Sequence, residues 1–211
     1  MVQKPKWRRR KEERPGDIVA AALQIFAEKG FAGAKVEEIA TRAGLSKGAV
    51  YLYFPTKEDL FRAVVQQAVL PNIDALARPL ADQDGPFADR LRALLPRFAE
   101  LLTVLPLGAV AKMVIGESRN FPELARVWHD EIVQRAVGIL ASRIEAAQAA
   151  GEVRPGDPRT HVFSIIGPMV MGILWRETLT PVGGADIDLP AIARQHVETV
   201  LAGLLAEEAR A

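Results

Sequence analysis

Val36 to Phe61 reads VEEIATRAGLSKGAVYLYFPTKEDLF, and its punctuation decides the fold. Ile39, Ala40 and Ala43 set small and apolar groups three to four apart, as one face of a short helix does. Gly44 follows where a helix closes in a left-handed conformation that glycine adopts without a Cβ clash, so the chain turns at Ala43-Gly44-Leu45. Ser46 then offers a side-chain oxygen to the free N–H groups of a second helix, Lys47 to Phe54. Val50 and Phe54 point one way on that helix, leaving Lys47, Gly48, Tyr51 and Tyr53 for other surfaces. A third helix begins after Pro55-Thr56.

Two short helices about such a turn make a helix-turn-helix over about residues 35–54. The second, at ~1.5 Å per residue, is ~12 Å long and suits end-on insertion into the ~12 Å major groove of DNA. A glycine between two short helices also occurs in ordinary helical hairpins, so the turn alone does not decide between them. The flanking sequence does.

Helix 1 (Ile18 to Lys29, closed by Gly30-Phe31), the run VEEIATRAGLSKGAVYLYF and the following PTKEDLF together resemble the TetR family of bacterial one-component transcriptional regulators. The resemblance covers roughly residues 12–72, and the Gly-Leu-Ser-Lys-Gly-x-x-Tyr-x-Tyr-Phe run is its most specific part. It implies DNA contacts from Ser46, Lys47, Gly48 and Ala49, from Tyr51 and Tyr53, and from Lys57 facing a phosphate. The chain departs from the pattern where the family often caps helix 2 with threonine. Here stand Ala34 and Lys35, so a phosphate contact at that point falls to Lys35 or to a backbone N–H.

Charge is distributed to match. Residues 1–62 hold 13 Lys or Arg against 8 Asp or Glu, and the rest 14 against 18, although the net formal charge is only +1. Lys4, Lys6, Arg8, Arg9, Arg10, Lys11 and Arg14 form a basic arm over residues 1–14, with Pro5 and Pro15 discouraging early helix. Such an arm is either a solvated tail or, beside this motif, a phosphate or minor-groove contact.

The absence of cysteine excludes disulfides, zinc-thiolate sites and thiol nucleophiles, and fits a reducing cytoplasm. No signal peptide is visible, and the longest apolar stretch, Val162 to Trp175, falls short of the ~20 residues of a membrane span. The expectation is a cytoplasmic protein with no membrane partner. Hydrophobic residues make up 49% of the chain, enough for a core beyond the small N-terminal module.

The remainder, residues 73–211, reads helical throughout, giving an all-α fold of about nine helices. Helix 4 runs from Lys57 to about Leu70, where Pro71 stops or kinks it. Further helices are expected at about 86–104, 107–119, 122–150, 159–177 and 189–208. The last carries a stripe of Ala193, Val197, Val200, Leu201, Leu204 and Leu205, and 159–177 is apolar nearly all round. Ile166, Val170, Ile173, Val197, Val200, Leu201 and Leu204 are therefore candidates for a dimer surface, monomer core being the other reading. The resemblance implies that these two helices form a four-helix bundle with their twofold mates, spacing two reading helices ~34 Å or a multiple apart.

Large apolar side chains of the core, namely Phe98, Met113, Phe121, Trp128, Phe163, Met169 and Trp175, with Glu117 and His129 as orienting polar groups, supply material for a small-molecule pocket. That such a pocket exists is implied by the resemblance. The function it implies is a DNA-binding regulator, most often a repressor, released from operator DNA by a largely apolar effector. An architectural DNA binder without effector is the alternative. An enzyme is a distant third: the three histidines lie on separate expected helices, with neither a G-x-S-x-G nor a phosphate-cradling glycine loop, and no cofactor or metal is implied.

Overall fold

The computed structural model describes residues 6–82 and 85–206, with side chains over 14–76 and 85–206. Among the described residues the fold is all-α, with nine helices. The first three are α1 (Lys6–Gly33), α2 (Val36–Arg42) and α3 (Lys47–Tyr53). α4 runs Lys57–Val64, passes through a π turn at Val65–Val69 and continues as Leu70–Asp82. Then come α5 (Phe87–Val104) and α6 (Leu107–Glu117). α7 is Pro122–Trp128, a π turn at His129–Val133, and Gln134–Ala149; α8 (Pro158–Thr178) and α9 (Leu189–Leu204) close the chain.

The turn chemistry of the opening stretch forms as its residues dictate. Gly44 has φ 68, and Leu45 donates its N–H back to the Ala40 carbonyl at 2.8 Å, satisfying the orphaned end of α2. Ser46 caps α3 by accepting from Ala49 N at 3.2 Å, and Thr56 caps α4 in a reciprocal box with Asp59. Val50 of α3 is buried against Ile39 and Ala40 of α2 and Phe26 of α1 in one continuous core.

Three boundaries differ from the sequence expectation. α1 begins at Lys6 and passes Pro15, well before Ile18, although Gly30 breaks its helical backbone at the expected place with φ 71 and ψ 176. α4 does not end near Leu70 but continues past Pro71 to Asp82. The π turn directly before Pro71 explains this, since a proline ring and missing N–H obstruct the regular bond to the preceding turn and a wider turn relieves both. α9 stops at Leu204 rather than 208, because Leu205 turns outward into an isolated antiparallel bridge with Val153.

α8 holds the apolar stretch Val162 to Trp175. With its following turn, Pro158–Val182 is 25 residues long and its most apolar 18-residue window has a mean hydropathy of 1.3, a measure that the core helix of a soluble protein also meets. Its inner face packs on α6, α7 and α9. Only 28% of its most apolar window is buried within the chain.

Candidate functional site

Of the residues expected to read DNA, Ser46, Lys47, Gly48 and Tyr51 are exposed on or beside α3, while Ala49 and Tyr53 are half-buried. Lys47 pairs with Glu37 of α2 at 2.5 Å and lies 5.7 Å from the centre of the Tyr51 ring. The hydrogen bond to Lys47 holds the Glu37 carboxyl below the usual carboxylate range, and the same contact raises the Lys47 ammonium. Leu52, which the sequence reading passed over, is 85% exposed on the same helix. The signal was present: Leu52 lies one turn beyond Gly48, on the face that Val50 and Phe54 leave to solvent.

Lys35, and not Ala34, is the N-cap of α2; no side chain caps that helix, and Ala34 is buried. Ion pairs Lys29–Glu38 at 2.8 Å and Arg42–Glu28 at 2.5 Å brace α1 against α2 at the surface. The side chains of Arg8, Arg9 and Arg10 lie outside the described residues.

Lys57 is turned inward. Its ammonium donates to the carbonyls of Phe31 at 2.6 Å and Ala34 at 3.1 Å, and sits 4.4 Å over the Phe31 ring. The expected phosphate contact is thus, in the free protein, a clamp between the start of α4 and the turn after α1.

A second clamp reaches the same turn from the core. Glu117, at the end of α6, accepts from the backbone N–H groups of Phe31 at 2.9 Å and Ala32 at 2.7 Å. The left-handed Gly30 makes room for it: a Cβ there would lie 2.3 Å from the carboxylate oxygen Oε1. The Phe31 ring meets Phe121 edge-on at 5.0 Å and packs with Phe26 and Phe61. Glu117 and Phe121, expected in a pocket, instead build the joint between the reading helices and the core.

Above the joint the π turns of α4 and α7 lie against each other, bridged by Gln66 to Glu131 at 2.9 Å. Beyond them is a cavity of about 90 Å³ between Ile73 and Leu76 of α4, Leu94, Leu95 and Phe98 of α5, Ala136, Val137, Ile139 and Leu140 of α7, and Val162, Ile165 and Ile166 of α8. Its lining side chains are all apolar. Of the expected pocket residues only Phe98 lies on it. Met113 and Met169 are core, Trp128 packs against the core, His129 is exposed beside Asp130, and Phe163 is 64% exposed. Trp175 lines a different, open groove with Gly167, Pro168, Met171 and Ile187.

The expected dimer stripe is likewise mostly interior. Ile173, Val197, Leu201 and Leu204 are buried within the chain, and Ile166 and Val200 are half-buried. An amphipathic stripe looks the same whether its cover is its own chain or a second copy, and α9 spends its stripe on α5, where Arg92 holds Glu198 at 2.7 Å. The uncovered apolar face belongs to α8: Phe163, Val170 and Met171.

Comparison with known proteins fits this geometry. Residues 18–64 match the family model described as bacterial regulatory proteins, tetR family, and residues 81–191 match a tetracyclin repressor-like C-terminal domain. The HTH-type transcriptional regulator RutR of Escherichia coli K12 is 30% identical over 200 residues, which is 87% of this chain and 84% of RutR. The HTH-type transcriptional repressor NicS of Pseudomonas putida is 30% identical over 160 residues, 72% of each chain. The crystal structure of the transcriptional regulator FadR from Bacillus subtilis in complex with stearoyl-CoA is similar at a TM-score of 0.76 and 23% identity, covering 89% of this chain and 98% of that one.

Proposed function

The chain belongs to the TetR family of bacterial regulatory proteins, DNA-binding regulators rather than enzymes, and from that premise we propose a homodimeric repressor that leaves its operator when a largely apolar small molecule enters the cavity. One observation carries the proposal. α4 is a single helix whose first residue, Lys57, holds the turn behind the reading helices and whose far half, through Ile73 and Leu76, walls the cavity. A molecule that widens the wall moves the clamp.

On DNA, α3 enters the major groove with Lys47, Gly48, Ala49 and Tyr51 toward base edges, while Ser46, Lys35 and Tyr53 lie along phosphates. Lys57 has one remaining N–H to give to a phosphate beyond its two carbonyl bonds. Arg8, Arg9 and Arg10 add sequence-independent, salt-sensitive attraction. Two copies joined across the α8 face that carries Phe163, Val170 and Met171 set two reading helices at half-site spacing. NicS, a repressor by name, favours repression; FadR, in complex with stearoyl-CoA, favours a ligand with a long apolar part.

Release is a population shift, so the effector must bind the splayed form better than the operator-bound form. Linkage then requires operator DNA to weaken effector binding by the same factor that effector weakens DNA. The test begins by selecting the operator from random duplexes with the full chain and measuring binding against competitor DNA. A specific, twofold-symmetric site is expected, and Tyr51→Ala is expected to lose it while remaining folded. Phe163→Glu is expected to give monomers in sedimentation and to bind half-sites only weakly. A dimer unmoved by Phe163→Glu rejects the α8 face, and binding without sequence preference favours an architectural role.

A further inference from the structure

Resting on that reading of the cavity, we infer that the ligand is an anionic amphiphile, an aliphatic chain in the cavity with a small anionic head held by Arg90 and Arg143. The wall of the cavity explains the first half. Its lining side chains, from four helices, are all alkyl or aromatic, and none of them hydrogen-bonds or carries charge. About 90 Å³ is several times the ~10–15 Å³ that one water needs, and an apolar-lined space of that size favours hydrocarbon over solvent.

The head is argued from two unpaired nitrogens. Among the buried side-chain polar atoms without a partner are Arg90 Nε and Arg143 Nε. Arg90 stands one turn before Leu94 and two before Phe98 on α5, in the row that lines the cavity. Arg143 stands one turn after Ile139 and Leu140 on α7, again in the lining row. The two rows end at the same place. Phe87 N donates to Glu152 Oε2 at 2.5 Å, which fastens the start of α5 beside the end of α7. The helices therefore run oppositely, and both arginines come to the end of the cavity remote from α3.

Among the described residues no carboxylate lies within 4.0 Å of either guanidinium. A buried donor without an acceptor is costly, and such a group calls for a water or ion to complete it. Arginine's planar fork takes a carboxylate or phosphate through paired N–H bonds, and two forks one turn beyond an alkyl-lined space match a head and a tail. A neutral head would leave the charges unmet, and a cationic head would be repelled.

Calorimetric titration of the full chain with octanoate, octanol and octylammonium separates these cases, since the tail is constant and only the head changes. Octanoate is expected to bind at least about tenfold more tightly than octanol, with octylammonium weakest. The Arg90→Gln/Arg143→Gln pair is expected to bring octanoate within about twofold of octanol and leave octanol unchanged. Arg90→Lys/Arg143→Lys keeps the charge but not the planar fork and is expected to leave the octanoate affinity between that of the parent chain and that of the glutamine pair. A loss equal to that of the glutamine pair would mean that packing, not charge, was removed, and would overturn the proposal. So would octanoate binding no better than octanol, octanoate binding untouched by the glutamine pair, or no binding of any of the three.

The reading of the cavity itself is tested separately by Ala136→Phe, which fills the space. If that variant abolishes all binding while the arginine exchanges do nothing, the cavity stands and the anionic head falls. Binding that survives Ala136→Phe removes the cavity as the ligand site.

Discussion

The joint at Phe31 and the cavity beyond the π turns lie along the same two helices, yet opposite interactions hold them together. At the joint directional bonds are added to the packed rings of Phe31 and Phe121: a carboxylate on two N–H groups, an ammonium on two carbonyls and a ring, and a glycine whose missing Cβ admits the carboxylate. At the cavity every contact is apolar and non-directional. Directional bonds resist small displacements and fail outright when geometry is lost, whereas an alkyl wall yields gradually. A ligand can thus deform the wall at modest cost, and the deformation is felt where the structure is least tolerant of it.

The largest expected effect comes from damaging the joint. Gly30→Ala places a methyl 2.3 Å from Glu117 Oε1 on a backbone of positive φ. The left-handed conformation costs an alanine ~1–2 kcal/mol, and losing charge-assisted hydrogen bonds adds ~1.5–3 kcal/mol. Denaturant unfolding should therefore show a loss of about 3 kcal/mol, with operator affinity falling in step. Glu117→Ala alone should lose about 2 kcal/mol. In the double variant the two losses should fall short of additive, because the clash needs the carboxylate. Strict additivity would break the picture of a single latch.

An enlargement of similar kind in the wall should do far less. Ala136→Phe enters existing space and is expected to shift stability by no more than about 1 kcal/mol, below the ~1–3 kcal/mol of overpacking a filled core. A loss as large as that of Gly30→Ala would show that the wall is as rigid as the joint.

How much of this was legible in the sequence follows from the same contrast. Gly44, Ser46, Thr56 and Gly30 act through local chemistry, so the turns and caps of the reading module could be read residue by residue. Glu117 meets Phe31 across 86 positions of chain, and no local pattern announces such a meeting; a carboxylate at the end of an apolar helix was read as pocket lining. In α8 and α9 periodicity correctly marked apolar stripes but not what covers them, so Ile173, Val197, Leu201 and Leu204 stood between dimer surface and monomer core, and the structure buries them within their own chain. Pro71 left stop and kink both open, because a π turn that carries the helix past a proline leaves no signature in composition.

On the DNA face the expected effects are smaller and leave folding alone. Leu52 is 85% exposed, so Leu52→Ala should leave the melting curve in place, yet it removes apolar surface from the helix proposed to enter the groove. Loss of contact with a thymine methyl or sugar is expected to lower operator affinity by about tenfold, within the ~1–3 kcal/mol range for a good base contact. Operator affinity unchanged within twofold would take Leu52 off the reading face.

The smallest effect, and the one opposite in sign, concerns Glu37. In the free protein its carboxylate holds the Lys47 ammonium that α3 presents to DNA. Both groups are exposed, so the pair adds little stability, but DNA must exchange it for a phosphate. Glu37→Gln should therefore strengthen DNA binding a few-fold and steepen its dependence on log salt by up to about 0.9, as one more phosphate contact becomes fully effective. The carboxyl is held below its usual range by Lys47, so any stability from the pair is present above the ordinary carboxylate pKa and is lost only as pH falls through the depressed one. Between about pH 6 and pH 8 the gain from Glu37→Gln should consequently be constant. A gain that vanishes on mild acidification would mean that another group governs Lys47.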